Sequence, residues 1–371
     1  MNFDFSDDQK FLKDEARKFL EGRCPTSKVR AVLDDPKRSH DADLWKQIAA
    51  QGWLGTAIPE EHGGLGLGHL ELCVIAEELG RSLAPVPFAS TAYFLAEALL
   101  LAGSDAQKAK WLPKIAAGEV IGCFATVERP GVLTEAQVNA RVDGGKLTGT
   151  KLPVTDGDIA DVAVVLAREN GPLGLFLVEL GGPGITRESL ETLDPTRGVA
   201  RLTFAGAAAE RLGEPGEGLP LAEALLERAA VLLAFEQVGG ADRALEMAKD
   251  YALNRYAFGR PIGSYQAIKH KLADMYVNNE LARANAYYGA WALHTGAPEL
   301  PLAAASARVA ACEAYWYAAK ENLQTHGGIG FTWQMDCHLF YRRSQQLGLV
   351  AGGAKAWKER LVNQLERRNA A

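Results

Sequence analysis

Along the first third of the chain, apolar residues recur every three to four positions, the spacing of one face of a helix. "SDDQKFLKDEARKFLE" opens on Ser6, a residue suited to an N-cap, and places acids in the first turn. "DADLWKQIAAQGWLG" and "GHLELCVIAEELGRSL" show the same period, and between them the proline and glycines of "AIPEEHGGLGLG" force a loop. Residues 1–117 are therefore predicted to form an α-helical domain. From 118 to 215 the period shortens to two. "EVIGCFATVE", "NARVDGG", "KLTGTKL", "DVAVVLAR", "LGLFLVEL" and "VARLTFAG" are short, β-rich and separated by Gly, Pro, Asp and Asn, which predicts an antiparallel β-barrel or sandwich, with "DGGKL" as a tight hairpin. After "GEPGEGLP" the helical period returns over 216–371. Patterns run from Leu221 to Arg255, Ser264 to His294, Leu302 to His326, Met335 to Gln346 and Lys355 to Arg368. The longest exceed the usual three turns and predict a bundle whose helices also pack across subunits.

Composition narrows the partners without changing this picture. The chain has 371 residues, 48% hydrophobic and 23% charged, with a net charge of −6. That is an ordinary globular profile, long enough for two or three domains. Both signs of charge are interspersed, so no basic stripe points to nucleic acid or an anionic membrane. "STAYFLAEALLLAG" is too short and interrupted to span a bilayer, and the acidic start is unlike a signal peptide. Cys24, Cys73, Cys123, Cys312 and Cys337 are odd in number and lack metal-ligand spacing, so free thiols in a reducing cytoplasm are expected and no metal. "GGLGLG" follows no strand pattern into a helix and "RPGVLTEAQ" lacks P-loop spacing, which argues against a nicotinamide enzyme.

Two stretches carry more specific chemistry. "RYAFGRPIGSYQAIKHKLADM" (255–275) places Arg255 where a helical pattern stops, before Gly259 and Pro261. Its guanidinium is either presented at a turn or bonded to the last helix carbonyls with Gly259 as cap. "LQTHGGIGFTWQMD" (323–336) ends a helix in a glycine pair that permits positive φ and close backbone approach. The first stretch resembles the R-x-x-F-G-x-x-I-x-x-x-Q signature, and the second the Q-x-x-G-G-x-G-F signature, of the acyl-CoA dehydrogenase family of flavoproteins. "IPEEHGGLGL" lies near that family's P-E-x-x-G-G-x-G motif, and "QKAKWLPKIAAGEVIG" precedes the β segment as it does there. The likeness covers essentially the whole chain in order.

This resemblance implies a helical N-terminal domain, a middle antiparallel β-barrel and a C-terminal four-helix bundle that binds FAD and drives oligomerisation. It implies a dimer at least, as a tetramer of two dimers, an acyl-CoA thioester substrate in fatty acid or steroid catabolism, and an electron-transfer acceptor. By the same resemblance Arg255 meets the FAD pyrophosphate, Phe258 packs on the nucleotide half and Gln266 hydrogen-bonds to it. Gln324, Gly327 and Gly328 reach the adenosine side from a neighbouring subunit. In the β domain Thr155 matches a Thr near the reactive flavin nitrogen, and Thr126 stands beside Val127 where another Thr is usual. Pro153 replaces an aromatic residue, and "VLTEAQVNARV" lacks the G-x-G-S-D loop that contacts the thioester.

Desaturating a thioester requires a base for the α proton, and a carboxylate in a dry pocket suits that task. In most of the resembling family a Glu stands ten residues after the Tyr of a Y-R-D/R motif. Counting from Tyr341 in "YRRSQQLGLVAGG" lands on Ala351. Other members carry the Glu about 26 residues before the R-x-x-F-G arginine, which lands on Ala229. Glu227 is rotated about 200° away on the helix, and Glu236 lies on nearly the same face but about 10 Å along it. Glu236 is thus a candidate displaced base, or a buried acid bonded to a neighbour. Three readings follow: a subunit of a heteromeric acyl-CoA dehydrogenase whose homologous partner supplies the Glu, a homomeric flavoenzyme with a displaced base or different thioester chemistry, and a non-enzymatic FAD-binding or assembly subunit. The first is preferred.

Overall fold

A computed structural model describes residues 5–370. Met1 to Asp4 of the acidic start lie outside the described residues. Helices α1 (Asp7–Arg23), α2 (Thr26–Leu33), α3 (Ala42–Ala50), α4 (His69–Arg81), α5 (Glu97–Ala102) and α6 (Asp105–Ala116) come first, with a π-helical segment, Ala89–Ala96, running into α5. Two serines start helices through reciprocal capping boxes: Ser6 with Gln9 at α1 and Ser104 with Gln107 at α6.

Eight strands follow: β1 (Gly122–Ala125), β2 (Arg141–Asp143), β3 (Lys146–Thr155), β4 (Val162–Glu169), β5 (Leu173–Glu179), β6 (Ile185–Ser189), β7 (Val199–Ala208) and β8 (Glu210–Leu212). They pair in the order β6-β7-β3-β2-β4-β5-β8, with β1 on β4. The expected barrel is therefore an open sheet, and the β1–β4 and β2–β4 pairings are parallel. The reason lies along one edge of β4, which is shared end to end. β1 covers Val162–Val165 and β2 covers Arg168–Glu169, while the intervening chain loops outward and returns.

Last come α7 (Gly218–Asn254), a two-residue hairpin of β9 (Tyr256–Ala257) and β10 (Arg260–Pro261), α8 (Gln266–Thr295), α9 (Leu300–His326), α10 (Cys337–Leu347) and α11 (Ala354–Ala370). Among the described residues no helix is long and apolar enough to cross a membrane.

By packing, the chain separates into two compact units. The first holds residues up to Ser27, Cys73–Ala84 and everything from Ala230. The second holds Lys28–Leu72 and Pro85–Ala229. In the second unit, β4 explains its own continuous apolar run. Val162, Val164 and Leu166 join a core with α6 and Leu95, while Ala163, Val165 and Ala167 join another with β3 and β7. Alternate side chains serve opposite faces, so a strand covered on both sides has no polar face.

In the first unit α4 and α7 cross at reciprocal glycines. A Cβ on Gly80 would meet the Glu236 carbonyl oxygen at 1.8 Å, and one on Gly239 would meet that of Glu77 at 1.8 Å. Beside this crossing, buried Glu77 accepts ion pairs from Lys13 (2.8 Å) and Arg283 (2.6 Å). Burial alone would raise the Glu77 pKa, but Arg283 and Lys13 outweigh it and hold the carboxyl below its usual range. A depressed carboxyl contributes stability that is present above the unfolded value of about 4.3 and is lost as pH falls through the folded one. Lowering the pH from about 5 to about 2 should therefore reduce the urea midpoint, and Glu77→Gln should flatten that dependence.

Candidate functional site

The R-x-x-F-G stretch forms an exposed hairpin rather than a helix cap. α7 ends at Asn254, and the Arg255 N–H still donates to the Tyr251 carbonyl (2.8 Å). The Arg255 carbonyl then accepts from Ile262 N–H (2.8 Å), closing the base of the β9–β10 hairpin. Its tip residues Phe258 and Gly259 have φ of +52° and +81°, both in the left-handed region that a tight hairpin turn requires. Phe258 is 97% exposed. Tyr265 braces the hairpin, donating its hydroxyl to the Ala257 carbonyl (2.9 Å) while the Arg260 guanidinium stacks 4.0 Å from its ring. The Phe-Gly pair between short extended segments was the available signal for this turn. Helical periodicity on both sides obscured it.

Gln266 opens α8 on the surface, and Gln324 is exposed on the last turns of α9. α9 stops at Gly327, whose φ of +63° excludes most other residues, and a side chain added at Gly327 or Gly328 would meet nothing within 4 Å. Arg255, Phe258, Gln266, Gln324, Gly327 and Gly328 thus all belong to the first unit, as exposed or open positions. His326 is buried, hydrogen-bonded to the Asn322 carbonyl and stacked on Tyr251. Burial lowers its pKa, which keeps the ring neutral in a packing role.

Thr126 and Thr155 belong to the second unit. Thr126 is buried at the end of β1, and its carbonyl accepts from the fully buried Lys151 ammonium (3.1 Å). Glu128 pairs with the same ammonium at 3.0 Å and accepts from the Asn139 and Ala140 N–H groups (2.8 and 2.7 Å). Burial pushes Lys151 down to about 8 against the pull of Glu128. Arg168 donates to the carbonyls of Glu135, Val138 and Gly171. The loop of 129–139 is therefore tied at both feet, which brings 126–128 beside 151–152. Thr155 sits apart, paired with Val199 between β3 and β7.

Ala351 occupies the loop between α10 and α11 with φ +60°. The Trp357 indole N–H donates to its carbonyl (3.0 Å). From the other side comes Arg308 of α9, fully buried, which donates to the carbonyls of Leu347 and Val350 and to the Gln237 side-chain oxygen. Among the described residues no carboxylate lies within ion-pair distance of Arg308. A buried guanidinium thus braces the end of α10 and the alanine-glycine loop that follows it through two backbone carbonyls, and Gln237 through its side chain. Ala229 is fully buried. Glu236 is also buried, 3.9 Å from the Arg343 guanidinium, and its backbone carbonyl abuts Gly80. That setting favours the packing role for Glu236 over a displaced base.

Among the described residues no group of His, Cys, Asp and Glu is arranged to hold a metal ion, and all five cysteines are buried. Sequence reasoning missed Arg308 and Lys151, since a buried cation is indistinguishable in a sequence from a solvated one.

The sequence matches the family profiles for the acyl-CoA dehydrogenase N-terminal domain over residues 6–119 and C-terminal domain over residues 216–364. Acyl-CoA dehydrogenase IpdE2 of Mycobacterium tuberculosis is 36% identical over 341 residues, 91% of each chain. The ChsE4-ChsE5 complex of Mycobacterium tuberculosis superposes with a TM-score of 0.89 at 28% identity, covering 99% of both chains. The Tcur3481-Tcur3483 steroid ACAD superposes with a TM-score of 0.88 at 31% identity, covering 98% of this chain and 99% of that one.

Proposed function

The chain belongs to the acyl-CoA dehydrogenase family, and from that premise we propose that it is the base-lacking subunit of a heteromeric FAD-dependent acyl-CoA dehydrogenase. The reaction is α,β-desaturation of a bulky, steroid-like acyl thioester, and a homologous partner brings the acid. The observation that carries this reading is the pair of alanines, 351 and 229, at both positions where the family places its base. The burial of Glu236 beside Arg343 in the first unit supports a base supplied by the partner over a displaced base at 236. The ChsE4-ChsE5 complex and the Tcur3481-Tcur3483 steroid ACAD support an assembly of unlike chains and a steroid-derived acyl group.

FAD, the cofactor of this family, takes up hydride when bound. The residues present fit it. Arg255 offers an exposed planar fork matched to pyrophosphate oxygens. Phe258, presented almost wholly to solvent, provides a packing surface that one chain alone leaves unused. The open turn at Gly327 and Gly328 admits close backbone approach, with Gln266 and Gln324 as hydrogen-bonding side chains. Thr126 and Thr155 are the candidate flavin-facing residues of the β region. Such a chain would hold nucleotide and complete the assembly while the partner removes the α proton.

Expressed alone, the chain should purify with little FAD and show no acyl-CoA-dependent reduction of a dye acceptor. Co-expressed with a second family member that keeps its Glu, it should co-purify, carry FAD and turn over. Rapid bleaching of flavin by acyl-CoA in the isolated chain would instead establish a homomeric enzyme with a displaced base. Lack of flavin in every preparation, with or without partner, would leave an assembly role.

A further inference from the structure

Outside the residues discussed so far, the second unit contains a three-residue polar cluster built around a buried acid. Glu97, the first residue of α5, directly follows the fully buried π-helical segment Ala89–Ala96. It is 2% exposed, yet neither of its partners is. Its Oε1 lies 2.7 Å from His69 Nε2 at the start of α4, and its Oε2 lies 3.4 Å from Arg228 Nη1 on α7. His69 and Arg228 keep 19% and 24% of their side chains exposed. A short π-helical segment is costly to maintain and often marks a functional position.

The geometry is that of a poised group more than a structural clamp. Arg17 grips Glu78 with two N–H groups at 2.8 and 3.0 Å. Arg228 makes one long contact, and among the described residues its other four N–H donors have no protein partner. His69 is equally incomplete. With Nε2–H donating to the carboxylate, Nδ1 remains available to accept, and no described residue uses it. Glu97 orients both side chains and offsets the Arg228 charge.

Such a cluster discriminates by chemistry. Unused guanidinium donors suit a ketone or hydroxyl oxygen, and imidazole Nδ1 can accept from a hydroxyl. A hydrocarbon would strand those groups, and a second carboxylate would meet Glu97 without surplus positive charge. Arg228 immediately precedes Ala229 on α7, one of the two positions where the resembling family places its base. Resting on the thioester reading above, we propose that Arg228 and His69, oriented by Glu97, form a recognition site for a neutral oxygen function, a ketone or hydroxyl, on the acyl group of the thioester.

The test is isothermal titration of the FAD-loaded heteromeric complex with three matched thioesters: octanoyl-CoA, its methyl-ketone analogue and its ω-carboxylate analogue. The ketone should bind about tenfold more tightly than octanoyl-CoA, the difference that one well-made hydrogen bond of about 1.4 kcal/mol supplies. Arg228→Met should erase that preference while leaving octanoyl-CoA affinity within about twofold. Glu97→Gln should release the Arg228 charge and raise affinity for the ω-carboxylate by about tenfold, an inversion that lost packing would not produce. The recognition site is overturned by equal binding of ketone and hydrocarbon, or by Arg228→Met and Glu97→Gln profiles that match the parent. Failure of all three thioesters to bind the flavin-loaded complex would overturn the thioester reading itself, and this site with it.

Discussion

Arg308→Met is expected to lower unfolding free energy by about 2–4 kcal/mol and to speed amide hydrogen exchange in the loop of 348–353 about tenfold. The side chain is fully buried and satisfies the carbonyls of Leu347 and Val350 together with the Gln237 oxygen. Each buried acceptor left without a donor costs about 1–3 kcal/mol. Against this stands the relief of no longer burying a cation that lacks a carboxylate, a penalty of several kcal/mol in its own right. That relief offsets the loss of three contacts only in part, which sets the intermediate figure. Arg308→Lys should fall between, because an ammonium keeps the charge but not the planar fork. Gln237→Glu should move the opposite way and raise stability by about 1–2 kcal/mol through a charge-assisted bond. Urea titration gives the first quantity and exchange mass spectrometry the second. Unchanged loop exchange in Arg308→Met would show that the loop is held by Trp357 and local backbone bonds alone.

Arg255→Gln is expected to weaken FAD binding in the assembled complex by about 10²–10³-fold. A bidentate arginine–phosphate contact contributes two charge-assisted hydrogen bonds of about 1.5–3 kcal/mol each, and an amide at 255 recovers only a fraction of that. Tenfold in affinity corresponds to about 1.4 kcal/mol, so a net loss of about 3–4 kcal/mol gives the stated range. The hairpin should survive, since its braces are Tyr265 and the backbone and not the Arg255 side chain. Arg260→Gln serves as the control: that guanidinium stacks on Tyr265, so its loss should change FAD affinity little. The flavin-to-protein ratio after gel filtration, followed by FAD titration of the apo-complex, measures both. Retention of FAD at parental affinity in Arg255→Gln would remove this residue from the cofactor site.

Much of the fold was legible because it depends on local period. Five C-terminal helical patterns correspond to α7 through α11, with ends that differ by a few residues. The Ser6 cap is present with its full capping box. What the period could not show was strand partnership. β1 and β2 read as ordinary members of an antiparallel set, yet both lie parallel to β4 along a single edge, because pairing direction depends on where the chain returns after Ala125. Likewise "RYAFG" reads as the end of a helix, and only folding shows that Phe258 sits at the tip of a hairpin with positive φ.

The sequence by itself determined the period of every long element, the family signatures at 255–266 and 324–331, and the absence of a carboxylate at 229 and 351. These are properties of residue identity and short-range spacing. Tertiary structure decided what the charged residues do. Glu236 became a packed partner of Arg343, Arg308 became the support of an alanine loop, and Glu97 met His69 and Arg228 across 28 and 131 residues of sequence. A buried polar group must find a partner wherever the fold supplies one, and that choice is made across space, where sequence distance carries no information.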